Sequence, residues 1–228
     1  MNALQLKNTR ACVFDAYGTL FDVNAAAAEE RHALGEQWLP LAELWRSKQL
    51  QYTWLRGLAG RHADFWQLTG DALDFAMQSL KLDDPGLRRR LMNLYMNLGA
   101  YPEVAETLTR LKAGGVRLAI LSNGTPAMLS AAADHAGITE LLDAILSVEE
   151  VGVFKPHPSV YQLAVDRLGL NPDEICFVSA NGWDAFSARA FGLRVVWCNR
   201  FGQVPERIPS TPDGEIPTLS ALPAIVGV

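Results

Sequence analysis

The chain has no long apolar run: nothing in its 228 residues approaches the roughly 18 consecutive apolar positions that a membrane span requires. It begins MNALQLKNTR, without the basic start, apolar middle and small-residue cleavage site of a secretory leader. The expectation is a soluble, cytoplasmic protein with no membrane partner. Basic blocks are absent too. The 20 Lys and Arg stand against 25 Asp and Glu, a net charge of -5, which argues against nucleic acid as a partner. A small anionic ligand is still allowed, because the charge lining a pocket matters more than the total. Cysteine is scarce, and Cys12, Cys176 and Cys198 share no CxxC or Cys/His spacing. Each sits in an apolar, strand-like run, so all three read as buried thiols without metal or redox duty.

What is present is the composition of an ordinary globular protein, 49% hydrophobic and 20% charged. Four short apolar runs read as central parallel strands: ACVF (11–14), RLAIL (117–121), EICFV (174–178) and LRVVWC (193–198). DAILS (143–147) is a weaker fifth, and the Pro-rich tail after Arg200 reads as irregular with one short edge strand. Between the strands lie helical stretches that stop at Gly137, Gly169 and Gly192. Alternating strands and helices predict an α/β fold built on a Rossmann-like parallel sheet with right-handed crossovers. The order breaks once. Residues 24–100 carry helical periodicity and no convincing strand, with Trp38, Leu41, Leu44, Trp45, Lys48, Tyr52 and Leu55 marking one stripe. We read them as a helical cap inserted after the first strand, over a core made of residues 1–23 and 101–228.

Ligands of open α/β sheets bind beyond the carboxyl ends of the strands, and that is where this chain turns polar. Asp15 follows the first strand, Ser122 and Asn123 the second, and Ser179, Asn181 and Asp184 follow EICFV. Any one of these could close a turn or cap a helix. Their joint placement at strand ends favours a single site. Lys155 adds a cation between a strand-like segment and a helix begun near Pro158.

The segments FDAYGTLFD, LSNGTP, KPHPSVY and SANGWD occur in the order of the haloacid dehalogenase superfamily, and their variants resemble its L-2-haloacid dehalogenase branch. LWRSKQLQYTWLR in the inserted block is similar to that branch as well. The resemblance therefore covers nearly the whole chain. It implies a cofactor-free hydrolase, a homodimer, that converts (S)-2-haloalkanoic acids to (R)-2-hydroxy acids through an ester on Asp15. Small haloacetates, fluoroacetate among them, are further candidate substrates, and whether C–F bonds are cleaved is left open. Asp15 would displace the halide at C2, kept ionised by Lys155 and oriented by Thr19 and Ser179. By resemblance, Asp184 activates the water that cleaves the ester, with Asn181 and Ser179 placing it and Lys155 compensating charge. Ser122 and Asn123 would hold the substrate carboxylate. Arg46 would receive the halide in a pocket lined by Asn181 and Trp183, and Tyr17 and Tyr161 would wall the substrate. His157 is a further candidate, as an imidazole that narrows the halide pocket and favours small leaving groups.

One substitution separates this branch from its phosphatase relatives. Those resemble DxD at the first segment, where the second acid serves as proton donor and the pair helps hold Mg²⁺. Here the stretch reads Asp15-Ala16-Tyr17, and in SANGWD the only acid is Asp184. Mg²⁺ wants an octahedron of hard oxygens and usually more than one carboxylate, so the expectation is no metal. A Mg²⁺-dependent phosphatase or phosphonate-cleaving enzyme is the first alternative, since DAYGT is also close to the start of the phosphonoacetaldehyde hydrolases. Displacement of another leaving group at C2, or a catalytically inactive binding protein on the same scaffold, are the others.

Overall fold

The computed structural model describes residues 4–23 and 28–228. Six strands form one sheet: β1 (Ala11–Phe14), β2 (Arg117–Ser122), β3 (Ala144–Ser147), β4 (Ile175–Ser179), β5 (Arg194–Cys198) and β6 (Gly214–Ile216). Their order is β3-β2-β1-β4-β5-β6, and every pairing is parallel. The five runs legible in the sequence are the first five strands, each within a residue or two. The short edge strand expected in the tail is β6. Strands β1 and β4 are buried along their whole length, because helices cover both faces of a parallel sheet and leave no solvent side for alternation. Cys12, Cys176 and Cys198 are buried free thiols within β1, β4 and β5.

From β1 the chain steps to β2 and β3 on one side, then crosses to β4, β5 and β6 on the other. The crevice between the carboxyl ends of β1 and β4 is therefore the point where strand order reverses, the usual ligand position in such sheets.

Helices supply the rest. Residues 28–100 hold no strand; after a single turn at Arg31–Leu34 come α1 (Trp38–Leu58), α2 (Phe65–Ser79) and α3 (Pro85–Met96). Asp64 caps α2 by accepting the Gln67 N–H at 2.8 Å, and Asp84 caps α3, with Pro85 in its first turn. The helices α4 (Val104–Ala113), α5 (Pro126–His135), α6 (Pro158–Leu168) and α7 (Gly182–Phe191) pack on the sheet, and α8 (Leu222–Val226) closes the chain. Both α6 and α7 stop at a glycine in the left-handed region, Gly169 and Gly192. The stripe read on α1 needs one correction. Leu41 and Trp45 are buried as expected, but the buried line continues through Gln49 and Thr53, while Leu55 is exposed.

Candidate active site

Asp15 stands one residue beyond β1, its N–H donating to the Val178 carbonyl at 2.9 Å, so the sheet ladder itself fixes its backbone. The chain then turns back at once. Gly18 takes a φ of 88°, a conformation that costs a glycine nothing, and Leu20 N–H reaches the Ala16 carbonyl at 2.9 Å. That turn returns the Thr19 side chain to Asp15. The Thr19 hydroxyl accepts the Ala180 N–H at 2.8 Å and donates to Asp15 Oδ2 at 3.0 Å. Asn181 Nδ2 donates to the same oxygen at 2.8 Å and to the Tyr17 carbonyl at 3.1 Å.

Lys155 reaches the carboxylate from the other side. Its Nζ donates to Asp15 Oδ1 at 3.1 Å and to Asp184 Oδ2 at 2.9 Å, and it lies 4.8 Å from the centre of the Phe177 ring. Lys155 is 1% exposed and Asp184 0%, so this carboxylate, ammonium, carboxylate row lies out of bulk water. Burial by itself would lower the Lys155 pKa, but the charges of Asp15 and Asp184 outweigh it and hold the ammonium above its ordinary value. Burial pushes the Asp184 carboxyl up from the usual carboxylate range, with Asp15 adding to the rise and Lys155 opposing it. The other Asp184 oxygen accepts the Tyr161 hydroxyl at 2.7 Å. Burial and the Asp184 charge raise that phenol well above its ordinary value, so it stays a donor.

From the inserted helices comes Arg46 on α1, whose Nη2 donates to Asn181 Oδ1 at 3.2 Å. Asp15, Thr19, Lys155, Asn181, Asp184 and Arg46 are thus joined in one hydrogen-bonded set. Ser122 and Asn123, at the end of β2, border it. Asn123 Oδ1 accepts the Lys155 backbone N–H at 3.0 Å, and Ser122 Oγ accepts the Gly124 N–H at 3.2 Å, which leaves the Ser122 proton to donate elsewhere. Tyr17 lies on the other border. Its ring packs 5.7 Å from Phe65 and 5.5 Å from Tyr95, and its buried hydroxyl has no partner among the described residues. Burial pushes this phenol well above its ordinary pKa, helped by Tyr95 and Asp15.

Four of the expected residues are engaged with other partners. Ser179 does not reach Asp15; its hydroxyl accepts the Asn181 N–H at 3.2 Å and shapes the turn after β4. Tyr161 meets the site through Asp184 rather than as a free wall. Trp183 stacks edge-on against Trp54 of α1 at 5.5 Å, its buried Nε1 without a partner among the described residues. His157 is exposed and caps α6, its Nδ1 accepting the Ser159 N–H at 3.3 Å. The same nitrogen lies 2.8 Å from the Ser159 hydroxyl, so one face of the ring is occupied by the helix start.

Sequence reasoning missed other contributors. Gly124 is one: a Cβ there would lie 2.8 Å from Tyr17 Cε2 and 2.9 Å from its hydroxyl, so only glycine lets that ring occupy its place. Arg200 is another, donating to the Thr19 carbonyl at 2.8 Å across 181 positions of sequence, with no local signal to announce it. Gln49, Thr69 and Tyr95 form a buried polar group behind Arg46. A cation would find two carboxylates here with an ammonium already between them. Among the described residues no cluster of three or more His, Cys, Asp or Glu side chains suits a metal. Nor is any helix there long and apolar enough to cross a membrane.

Comparison with known proteins agrees with this geometry. The family model of haloacid dehalogenase-like hydrolases matches residues 9–192. (S)-2-haloacid dehalogenase 1 of Pseudomonas sp. (strain CBS-3) is 48% identical over 218 residues, which are 95% of this chain and 96% of that protein. A crystal structure of a dehalogenase with intermediate complex superposes with a TM-score of 0.95 at 45% identity, covering 97% of this chain and 99% of that one. L-2-haloacid dehalogenase from Xanthobacter autotrophicus with chloropropionic acid covalently bound gives 0.89 at 38% identity, over 95% and 97% of the two chains. The chain belongs to the haloacid dehalogenase-like hydrolases.

Proposed function

We propose that this protein hydrolyses (S)-2-haloalkanoic acids to (R)-2-hydroxy acids through an aspartyl ester on Asp15. The observation that carries the reading is the setting of Asp15, a buried carboxylate held on one oxygen by Lys155 and on the other by Thr19 and Asn181. Tyr17 stands where a phosphatase would carry its second acid. The relatives' activities and the bound chloropropionic acid of the Xanthobacter enzyme support the same substrate class.

A carboxylate is a weak nucleophile in water. Held dry and aimed, it loses competing solvation and needs no further orientation. In the first step an Asp15 oxygen bonds to C2 from the side opposite the halogen as the C–X bond breaks, so configuration inverts and halide leaves. Arg46, already beside Asn181, receives the departing anion. Ser122 and Asn123 take the substrate carboxylate. In the second step a water oxygen attacks the ester carbonyl and one of its protons passes to Asp184. The C–O bond to the carbonyl carbon breaks, the second water proton goes to the leaving alkoxide, and the 2-hydroxy acid departs with the Asp15 carboxylate restored. The proposed division is a cap of residues 24–100 over a core of 1–23 and 101–228, with 1–3 and 24–27 lying outside the described residues, and the working unit is a cytoplasmic homodimer, as the family implies.

One turnover in ¹⁸O water with excess enzyme, followed by mass spectrometry of the Asp15 peptide, tests the ester. Label is expected in Asp15. Label confined to the product would mean that water attacks C2 directly.

A further inference from the structure

Along α1, Leu41, Trp45, Gln49 and Thr53 fall one turn apart on the buried face. The first two fill space among apolar neighbours. Gln49 is a primary amide 1% exposed, and an amide so buried is retained only where its hydrogen bonds are met.

Those bonds have a fixed direction. Thr69 on α2 donates its hydroxyl proton to the Phe65 carbonyl at 2.7 Å, so its oxygen can only accept. Gln49 must then turn Nε2 toward it, and does so at 2.7 Å. That choice points Oε1 the opposite way, where it accepts Arg46 Nη1 at 2.8 Å. The Tyr95 hydroxyl closes the edge of the amide, 3.1 Å from Nε2 and 3.2 Å from Oε1. Exchanging the two amide ends would set an NH₂ against the guanidinium, donor facing donor, and an acceptor against an acceptor. Trp45 pins the arrangement by donating Nε1 to the Thr69 carbonyl at 2.8 Å, which fixes α1 against α2. The guanidinium is thus held by one nitrogen while the other meets Asn181 Oδ1, and Asn181 in turn holds Asp15.

We propose that Gln49, its amide oriented by Thr69 and Tyr95, is a positioning residue that aims Arg46 at the departing halide. The proposal rests on the reading that Arg46 receives that anion. A long side chain anchored at one nitrogen has few orientations left; released, it must be ordered during the reaction itself. The cost falls on the step in which negative charge builds on the halogen, and it falls harder on chloride, the poorer leaving group, than on bromide.

The measurement is the single-turnover rate of halide release from (S)-2-chloropropionate and (S)-2-bromopropionate, compared across variants. Thr69→Val keeps the shape and removes the acceptor for Nε2; Gln49→Leu removes the amide; Thr69→Ser restores the hydroxyl. Thr69→Val is expected to raise the bromide-to-chloride rate ratio by about three- to tenfold, the worth of one ordinary hydrogen bond, with Gln49→Leu at least as large. Thr69→Ser is expected to stay within about twofold of the parent. If Thr69→Val slows both substrates equally, or neither, the proposal is overturned, because a merely structural role would not discriminate between leaving groups. Arg46→Lys is the control for the underlying reading. If it too leaves the ratio unchanged, Arg46 is not the halide acceptor; if it shifts the ratio while Thr69→Val does not, only the positioning role of Gln49 has failed.

Discussion

Two carboxylates share one ammonium at the centre of this site, and the electrostatic burden falls on Asp184. Burial raises its folded pKa above the value it has in an unfolded chain, where water solvates the anion. The sign of the consequence follows. Below the ordinary carboxylate range both states are protonated, and the contribution of Asp184 to stability is fully present. As pH rises toward the raised folded value, the unfolded chain has lost a proton that the fold still keeps, and that contribution is lost. Activity moves the opposite way, since a base must be ionised to take a proton from water. The acid limb of the ester-hydrolysis step is therefore expected above the ordinary aspartate range, and Asp184→Asn is expected to slow that step by about 10²- to 10⁴-fold. A pH profile of single-turnover product release checks both, and an acid limb at an ordinary aspartate value would argue against Asp184 as the base. At this scale the sequence was informative about types and silent about partners. Asp15 and Asn181 stood just past strand ends where chemistry was expected, whereas Lys155 follows a turn rather than the strand-like segment read there. That Tyr161 serves Asp184, and that Ser179 serves its own turn, depends on side-chain directions that spacing does not encode.

An element's first residue carries obligations that can pass for chemistry. His157 precedes Pro158 at the start of α6, two positions from Lys155, and its proximity in sequence suggested a role in the halide pocket. The structure gives it a different task, since the helix begins with unpaired N–H groups and the imidazole accepts one of them. His157→Asn, which offers an equivalent cap, is expected to leave both stability and the fluoride-to-chloride preference unchanged. His157→Ala is expected to cost about 0.5–1 kcal/mol of stability through the lost cap and still leave that preference alone. Thermal unfolding together with halide release from fluoroacetate and chloroacetate distinguishes cap from pocket; a changed preference in the Asn variant would restore the pocket role. Elements were otherwise the most legible layer. Continuous apolar runs gave the strands because both faces of a parallel sheet are buried, and terminal glycines gave the ends of α6 and α7 because only a left-handed residue closes them. The polar half of the α1 stripe was missed for the converse reason. Gln49 and Thr53 break hydrophobic periodicity, and a buried amide is visible only once its partner on another helix is known.

Across the whole molecule, the last stretch of chain is stitched to the first. Arg200, just past β5, has its side chain only 8% exposed. It lies 3.9 Å from the centre of the Tyr101 ring, and donates to Glu103 at 2.6 Å and to the Thr19 carbonyl at 2.8 Å. Burial works to raise the Glu103 carboxyl, but its own backbone N–H, Arg200 and the Leu219 N–H together hold it below the usual carboxylate range. One guanidinium therefore joins the residue that orients Asp15 to the start of α4, and Glu103 carries the link on to the Leu219 N–H before α8. Because Thr19 donates to Asp15 through the turn that Arg200 grips, loosening the grip should reach the nucleophile without touching substrate. Arg200→Met is expected to lower stability by about 1.5–3 kcal/mol, the range for hydrogen bonds to charged groups. It is also expected to reduce kcat while leaving KM near its parent value, since the residues that would bind the substrate carboxylate lie on β2 and its loop. The exposed Arg10–Glu174 pair is the comparison; it holds no part of the site, and Arg10→Ala should change neither quantity appreciably. Urea unfolding and steady-state kinetics on both variants decide the point. If Arg200→Met lost stability with kcat intact, the stitch would serve the fold alone, and the orientation of Thr19 would be secured by the Ala180 N–H without it.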